Sequence, residues 1–193
     1  AKRRLRKGGV MCQWVHAYSM YSVDFKTIVR TFNAVFPHVM VWEASLGGDY
    51  LLIGSPEDLN VDYQMLIDNM RDESMRADLV KMHMTDLASF LNKLVITKEA
   101  IAEYTKGASL HTDDNALLEY SAPKALLEGR STVLLEELYQ YRSSPMDMLR
   151  SLRWADILTP IENDLLEKLE ARKEVLRGYI RYAKGAAQDA IKK

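Results

Sequence analysis

The 193 residues of the chain suffice for one domain of medium size, or for one domain with an appendage. Lys and Arg total 26 against 27 Asp and Glu, so no overall charge attracts nucleic acid or anionic lipid. One cysteine excludes an internal disulfide, the 4 histidines lack cysteine partners for zinc, and no apolar run reaches the ~18 residues of a membrane span. We therefore expect a cytoplasmic chain that neither binds nucleic acid nor inserts into a membrane.

The first ten residues combine a basic run with a pair of glycines. We interpret AKRRLRK as the exposed end of a helix with Leu5 turned inward. The alternative is a phosphate-binding arm, which the lack of interleaved aromatic residues disfavours. Gly8 and Gly9 predict a turn, and the residues from Val10 onward predict a buried strand. This order indicates a chain that starts inside an α/β domain, so we expect the N-terminal half of that domain to be missing.

A helix and a hairpin are predicted next. SVDFKTIVRTFNAVFP places its apolar residues on one helical face, with Ser22 as the N-cap and Pro37 as the stop. VMVWEA and YLLIG predict two antiparallel strands, because the glycines of SLGGD permit a tight turn between them. Residues 10–54 are thus predicted as strand, helix, strand, hairpin, strand, the order in which a methyltransferase-like sheet ends.

The remainder of the chain has helical periodicity. Thr85 and Thr97 are predicted N-caps, and Gly107 is a predicted C-terminal stop. TPIE, at 159–162, is a capping box that predicts a long final helix. SSPMD, from Ser143, marks the predicted boundary between a main body, 1–142, and a helical extension, 143–193. The other predicted helices are VDYQMLIDNMR, ESMRADLVKM, TDLASFLNKLVI, TKEAIAEYTK, APKALLEG and STVLLEELYQYR.

The stretch HTDDNALLEY carries two adjacent carboxylates, Asp113 and Asp114, followed by Glu119. One interpretation is a pocket for a cationic amine, since ammonium groups need carboxylates in a partly desolvated cleft and amine attack needs a proton acceptor. The other is structural: Asp113 or Asp114 caps a helix beginning near Asn115, Glu119 lies in its second turn, and Pro123 opens the next helix. Both interpretations remain open from the sequence.

Two further groups of residues are candidates for ligand contacts. Gln13, Trp14 and His16 lie towards the C-terminal end of a predicted strand, where α/β folds bind ligands. A buried tryptophan beside a hydrogen-bonded glutamine is the alternative, and His16 has no neighbouring carboxylate in the sequence to orient it as a general base. Asp49 and Tyr50 either line a cleft or serve as an ordinary turn aspartate and edge-strand tyrosine.

Four segments together resemble a known family. GGVMCQWVHAYSM, RTFNAVFP, GDYLLIGS and HTDDNALLEYSAPKAL are similar to the C-terminal half of divergent bacterial spermidine synthase-like proteins, over roughly Arg4 to Leu127. The most specific part is the motif formed by Thr112, Asp113, Asp114, Glu119 and Pro123. The resemblance implies a methyltransferase-like Rossmann fold. It also implies relatives that transfer an aminopropyl group from decarboxylated S-adenosylmethionine to a diamine such as putrescine, and that are often fused to membrane segments or helical repeats.

The chain departs from that family in several places. The family's glycine-rich nucleotide loop and catalytic aspartate precede the strand that here begins at Val10, and no such loop occurs in this sequence. Gln13 lies about one position before the family's substrate-side glutamine, and LGGDY replaces a Tyr-Pro-x-Gly turn. We therefore expect a chain that has no cofactor site and no transferase activity of its own. Its candidate substrate-binding residues are Gln13, Asp113, Asp114 and Glu119.

The expected fold class is α/β: the C-terminal part of a methyltransferase-like Rossmann sheet followed by a mostly helical region. Gly178, Gly185 and Ala190 have the spacing of small residues in a tetratricopeptide helix pair, which predicts a tail that packs on the body or on another copy. An uncovered edge on the Val10 strand predicts a homo-oligomer or a rearranged edge. Two functions remain open: the amine-binding half of a polyamine synthase-like enzyme, and a non-catalytic polyamine-binding or protein-interaction module.

Overall fold

A computed structural model of the protein describes residues 1–59, 62–128, 131–142 and 162–191. Within these ranges the fold is mixed α/β, with a four-stranded sheet in the order β1-β3-β2-β4. The strands are β1 Met11–His16, β2 His38–Ser45, β3 Asp49–Ser55 and β4 Leu94–Ile96. The α-helices are α1 Ser22–Val35, α2 Tyr63–Arg71, α3 Glu73–Lys81, α4 Leu87–Leu91, α5 Ile101–Tyr104, α6 Leu117–Glu128, α7 Ser131–Tyr141 and α8 Glu162–Ile191.

The hairpin between β2 and β3 is confirmed. Gly47 adopts a φ of +68°, and the N–H of Gly48 donates to the carbonyl of Ser45, so the chain reverses within three residues. β3 then pairs with β2 on one side and with β1 on the other, and β4 pairs with β2. Every described pairing is antiparallel, so the predicted methyltransferase-like Rossmann sheet is not confirmed.

Helix α1 covers one face of the sheet, as its apolar face predicts. Phe25 and Val29 are fully buried, and the ring of Phe25 packs edge-on against Tyr50, 5.5 Å away between centroids. The stop at Pro37 is confirmed, since α1 ends two residues earlier. Ser22 is not the N-cap: Tyr21 occupies that position, and no side chain makes a capping hydrogen bond there. Tyr50 is a core residue, with only 2% of its surface exposed.

The prediction that β1 is buried is wrong, because β1 lies at the edge of the sheet. Only Val15 is buried in this strand, while Cys12, Gln13 and Trp14 are exposed. No described strand pairs with the outer edge of β1. Leu5 does pack against the core, as predicted, although the basic run contains only a short 3-10 helix, Lys2–Arg4.

The second face of the sheet is covered near β2 and β4. Met40, Leu91, Leu94 and Leu169 form a buried cluster there, with Trp42 and Phe90 at its margin. Residues 94–96 were predicted as the end of a helix, but they form β4 beside β2. The reason is tertiary: three consecutive apolar residues, two of them β-branched, are all fully buried against the sheet, which overrides the helical periodicity before them.

Several predicted helix boundaries also change. α4 is capped by Asp86 rather than Thr85, through a capping box with Ser89. Thr97 is buried and caps no helix; α5 begins at Ile101 instead. Gly107 is not the helix stop: α5 ends at Tyr104 with Thr105 as its C-cap, and Gly107, with a φ of +75°, lies in the turn that follows. Pro123 lies inside α6 and does not open a new helix.

The long C-terminal helix is confirmed and packs on the body. Leu169, Leu176 and Ile180 of α8 are buried, against residues of α4 and α7. Gly178, Gly185 and Ala190 all lie within this one helix. The predicted boundary at SSPMD and the first three residues of TPIE lie outside the described residues, so the division into two domains remains a prediction.

Candidate functional site

The C-terminal end of β1 carries a row of three aromatic rings. Trp14 and His16 share one face of the strand because side chains alternate along it, and Tyr18 follows two residues later. The ring centroids are 5.7 Å apart between Trp14 and His16, and 4.7 Å apart between His16 and Tyr18. Trp14 is 52% exposed and Tyr18 51% exposed. The expectation of a buried tryptophan is therefore wrong, and about half of the surface of Trp14 and of Tyr18 is accessible to a ligand.

A fixed carboxylate lies beside this row. Asp49, the first residue of β3, is the cross-strand partner of His16. One of its carboxylate oxygens accepts a hydrogen bond from Trp14 Nε1 at 3.1 Å, and the other accepts one from Ser45 Oγ at 2.8 Å. Ser45 Oγ in turn accepts a hydrogen bond from the Asp49 N–H at 3.1 Å. Asp49 thus does more than close a turn: the hairpin holds its charge against the edge of the indole.

Gln13 points away from this cluster. Its side chain leaves β1 on the opposite face from Trp14, because the two residues are adjacent in a strand. It is exposed, and its Nε2 donates to the Trp14 carbonyl at 2.9 Å. No hydrogen bond or ion pair within the described ranges joins Gln13 to Asp113, Asp114 or Glu119. The four predicted binding residues are therefore not brought together by direct contacts.

The turn that contains Asp113 and Asp114 is held by its neighbours. The Thr112 N–H donates to Asn115 Oδ1 at 3.0 Å, and the Asn115 N–H donates to Thr112 Oγ1 at 3.3 Å. Asn115 Nδ2 also donates to the Leu110 carbonyl at 2.7 Å. Both aspartates are exposed, and their carboxylates make no hydrogen bond with any described residue. Neither aspartate therefore caps α6 through a hydrogen bond with a described residue, and Thr112 and Asn115 hold the turn that precedes this helix.

Glu119 and His111 connect this turn to α1. The His111 N–H donates to Thr31 Oγ1 at 2.8 Å, across 80 positions of sequence. His111 Nε2 lies 3.7 Å from Glu119 Oε1, at the start of α6. The acidic turn is thus anchored to the body of the fold while its two aspartates face solvent.

Asp24 is a titratable residue that the sequence interpretation missed. It lies in the first turn of α1, just after β1 ends, and it is 5% exposed. Burial raises the pKa of its carboxyl above the ordinary value, and a hydrogen bond with Ser121 of α6 opposes that rise. One of its oxygens is buried without a hydrogen-bond partner among the described residues. The only sequence signal was a carboxylate on the first turn of a helix that follows a ligand-side strand end.

The described residues contain no group of three or more His, Cys, Asp or Glu side chains that could hold a metal ion. No helix in the same ranges is both long and apolar enough to cross a membrane. The chemistry available at the β1 end is instead that of a fixed carboxylate, exposed aromatic rings and neighbouring hydroxyl groups, a set suited to a small organic cation.

No protein-family model matches the sequence, and no curated protein or solved structure matches it either.

Proposed function

We propose that this chain supplies the amine-binding side of a spermidine synthase-like transferase, at Trp14, His16, Tyr18 and Asp49. The single observation that carries the proposal is the half-exposed indole of Trp14 with its N–H bound to the Asp49 carboxylate. A polyamine consists of ammonium groups joined by short methylene chains. Aromatic faces attract the ammonium groups and receive the methylenes, and a carboxylate adds a charge-assisted hydrogen bond.

The connectivity of the sheet supports this proposal. β1 and β2 both run antiparallel to β3, which lies between them, so β1 and β2 are parallel to each other. α1 joins the two as a crossover helix. A methyltransferase-like sheet ends with this arrangement, and further parallel strands would then lie beyond β1. The aromatic row stands at the C-terminal end of β1, where α/β sheets bind their ligands.

The acidic turn adds a second region that can attract an amine. Asp113 and Asp114 are exposed, and no described residue neutralises them. At an exposed position each carboxylate contributes little binding energy but helps to draw in a polycation. We assign the main contacts to the aromatic row, and we assign to Asp113, Asp114, Glu119 and Gln13 a lesser role in amine binding.

Transfer itself requires a second substrate. The amine nitrogen would attack the carbon next to the sulfonium of decarboxylated S-adenosylmethionine, the carbon–sulfur bond would break, and the amine would release a proton to a base. The sequence contains no glycine-rich nucleotide loop to hold that donor. We therefore propose that the chain by itself binds the amine without transferring the aminopropyl group.

Calorimetric titration with spermidine tests the proposal. We expect saturable binding that weakens about tenfold in Trp14→Leu and in Asp49→Asn, since each substitution removes one attractive contact. Tyr182→Leu is the matched control, because Tyr182 is an exposed aromatic residue on α8. Circular dichroism establishes that each variant is folded. Absence of saturable heat with folded wild-type protein, or an equal loss in Tyr182→Leu, contradicts the proposal.

A second candidate function is a non-catalytic protein-interaction module. The observation in its favour is the apolar surface of α6, where Tyr120 is 73%, Leu126 68% and Leu127 87% exposed. This candidate makes two predictions. The double variant Leu126→Ser, Leu127→Ser changes the sedimentation coefficient of the chain, and the wild-type chain does not bind spermidine. The enzyme-derived candidate predicts spermidine binding that the same double substitution leaves unchanged.

A further inference from the structure

A cleft of about 770 Å³ lies between the end of β2, α4 and the C-terminal helix α8. Three cationic side chains line it, Lys93, Lys168 and Arg172, together with the hydroxyl-bearing Ser45 and Ser89. Its volume falls within the roughly 300–1,000 Å³ of ordinary small-molecule sites. Ser45, whose Oγ donates to Asp49, also lines this cleft, and the amine-binding proposal does not use the three cations of the cleft.

The carboxylates near this cleft are already engaged. Glu43 accepts hydrogen bonds from Arg142 Nη2 at 3.1 Å and from the Gly47 N–H at 3.0 Å. Asp86 accepts the Ser89 N–H at 2.8 Å and lies 3.5 Å from Lys168 Nζ.

Lys93 and Arg172 therefore remain as cations that no carboxylate of the described residues pairs with. Among the described residues, the Lys93 ammonium group has one hydrogen-bond acceptor, the Ala44 carbonyl at 3.4 Å. The two cations reach the cleft from different elements, since Lys93 follows α4 and Arg172 belongs to α8. An anion between them would be held from two sides.

An apolar pocket of about 340 Å³ adjoins the cationic cleft. Its walls include Trp42, Phe90, Met40 and Ile53, and the rings of Trp42 and Phe90 are 5.0 Å apart between centroids. Ala44, Met82 and Lys93 line both spaces, so Lys93 stands where the apolar pocket meets the cationic cleft.

We propose that this double pocket binds an amphipathic organic anion, a carboxylate or phosphate monoester with an apolar chain. The anionic group lies between Lys93 and Arg172, and the chain lies in the apolar pocket against Trp42 and Phe90. Neither the cationic cleft nor the apolar pocket gives this selectivity alone. The cations alone would bind any phosphate, and the apolar pocket alone would bind any alkane or alcohol.

The state of Lys93 supports this assignment. Burial lowers the pKa of its ammonium group; Glu43 opposes that shift, while Arg172 and Arg142 add to it. A partly desolvated cation with other cations around it is unfavourable until an anion joins it. A bound carboxylate or phosphate would supply a negative charge beside Lys93, where the two pockets meet.

Titration calorimetry with octyl phosphate, kept below its micelle concentration, tests the inference on the full chain. Inorganic phosphate provides the charge without the chain, and 1-octanol provides the chain without the charge. We expect saturable 1:1 binding of octyl phosphate, and binding at least about tenfold weaker for each of the other two probes. Arg172→Met and Lys93→Met should each weaken octyl phosphate binding about tenfold, and Arg172→Lys should restore most of it. Lys106→Met, which removes an exposed lysine elsewhere, should leave it unchanged.

Each of the following results would overturn one part of the proposed anion site. Binding of inorganic phosphate as tight as that of octyl phosphate removes the role of the apolar pocket. Octyl phosphate binding that Arg172→Met leaves intact, or that Lys106→Met weakens equally, removes the role of the cationic pair. Arg172 is only partly buried, so its variant remains informative if Lys93→Met fails to fold.

Discussion

Arg142 Nη2 lies 3.1 Å from Glu43 Oε2, and the two side chains are only 6% and 1% exposed. The partners are 99 positions apart in the sequence. Arg142 also donates to the Asn92 carbonyl, and Glu43 accepts the Gly47 N–H, so the pair joins the end of α7, β2, the hairpin and the end of α4. A buried ion pair with these additional hydrogen bonds holds the hairpin and the helical layer in one arrangement.

Breaking this pair should be costly. Arg142→Met leaves the Glu43 carboxylate buried without its cation, and we expect the free energy of unfolding to fall by about 3–5 kcal/mol. The double variant Arg142→Met, Glu43→Leu should recover much of that loss, because no lone charge remains. Urea unfolding measures both effects. Lys81→Met is the control, since its pair with Asp78 is exposed and should contribute only about 0–1 kcal/mol. If Arg142→Met lowered the free energy of unfolding by no more than Lys81→Met does, the buried pair would be unimportant for stability.

Two glycine substitutions should have opposite effects on stability. A Cβ on Gly54 of β3 would lie 2.9 Å from both Phe32 Cζ and Phe36 Cβ of α1, so Gly54→Ala should cost about 1–3 kcal/mol through forced repacking. Gly178 lies in α8 with open space around its Cα, so Gly178→Ala should stabilise the helix by up to about 1 kcal/mol. Thermal unfolding of the two variants side by side provides the comparison. A neutral Gly54→Ala would mean that α1 is not packed closely on β3.

Asp24 should make stability depend on pH. Its folded-state pKa is raised above the ordinary 3.8 by burial, so the folded protein holds a proton there more tightly than the unfolded chain. The resulting stabilisation is fully present below pH 3.8 and is lost as the pH rises through the folded-state pKa. Asp24→Asn cannot titrate, so its stability should decline less over that pH range. Urea unfolding from pH 3.5 upward measures the difference, and identical pH profiles for the two proteins would refute the prediction.

The acidic turn should tolerate loss of its charges but not of its hydrogen bonds. Asp113→Asn with Asp114→Asn should change the free energy of unfolding by no more than about 0.5 kcal/mol, because both side chains are exposed and unbonded. Asn115→Ala should cost about 1 kcal/mol, because it removes bonds to Thr112 and Leu110. Chemical denaturation distinguishes the two results. A larger loss in the aspartate variant would restore the capping interpretation.

The outer edge of β1 should promote self-association. The strand MCQWVH contains no Lys, Asp, Glu or Pro, the residues with which natural edge strands resist pairing. The Ala17 N–H donates to Gly48, so by alternation the N–H groups of Cys12 and Trp14 point to the unpaired side. We expect concentration-dependent dimers in sedimentation velocity. Cys12→Pro should abolish them and Cys12→Ser should not. A monomer at all concentrations would exclude this edge as an oligomer contact.

Local sequence signals accounted for much of the fold. The apolar face that ends before Pro37 specifies α1, because a strong amphipathic pattern and a proline stop need no tertiary information. The paired glycines of the hairpin likewise require a backbone that other residues disfavour. The long helix after residue 161 follows from its own periodicity and helix-forming residues. In each case the cause lies within a few neighbouring residues.

Features that depend on residues far apart in the sequence were decided by the tertiary structure. Residues 94–96 became a strand because the edge of β2 was available to pair with them, and Trp14 is exposed because β1 lies at the end of the sheet. Arg142 and Glu43 come from separate elements, and so do Lys93 and Arg172, which line the same cleft. Neither pairing has a local sequence signal. The sequence by itself thus determined α1, the hairpin turn and the long helix α8, since these follow from short-range backbone and side-chain preferences. Which charges are buried, paired or left facing a cleft depended on packing between elements that are far apart in the chain.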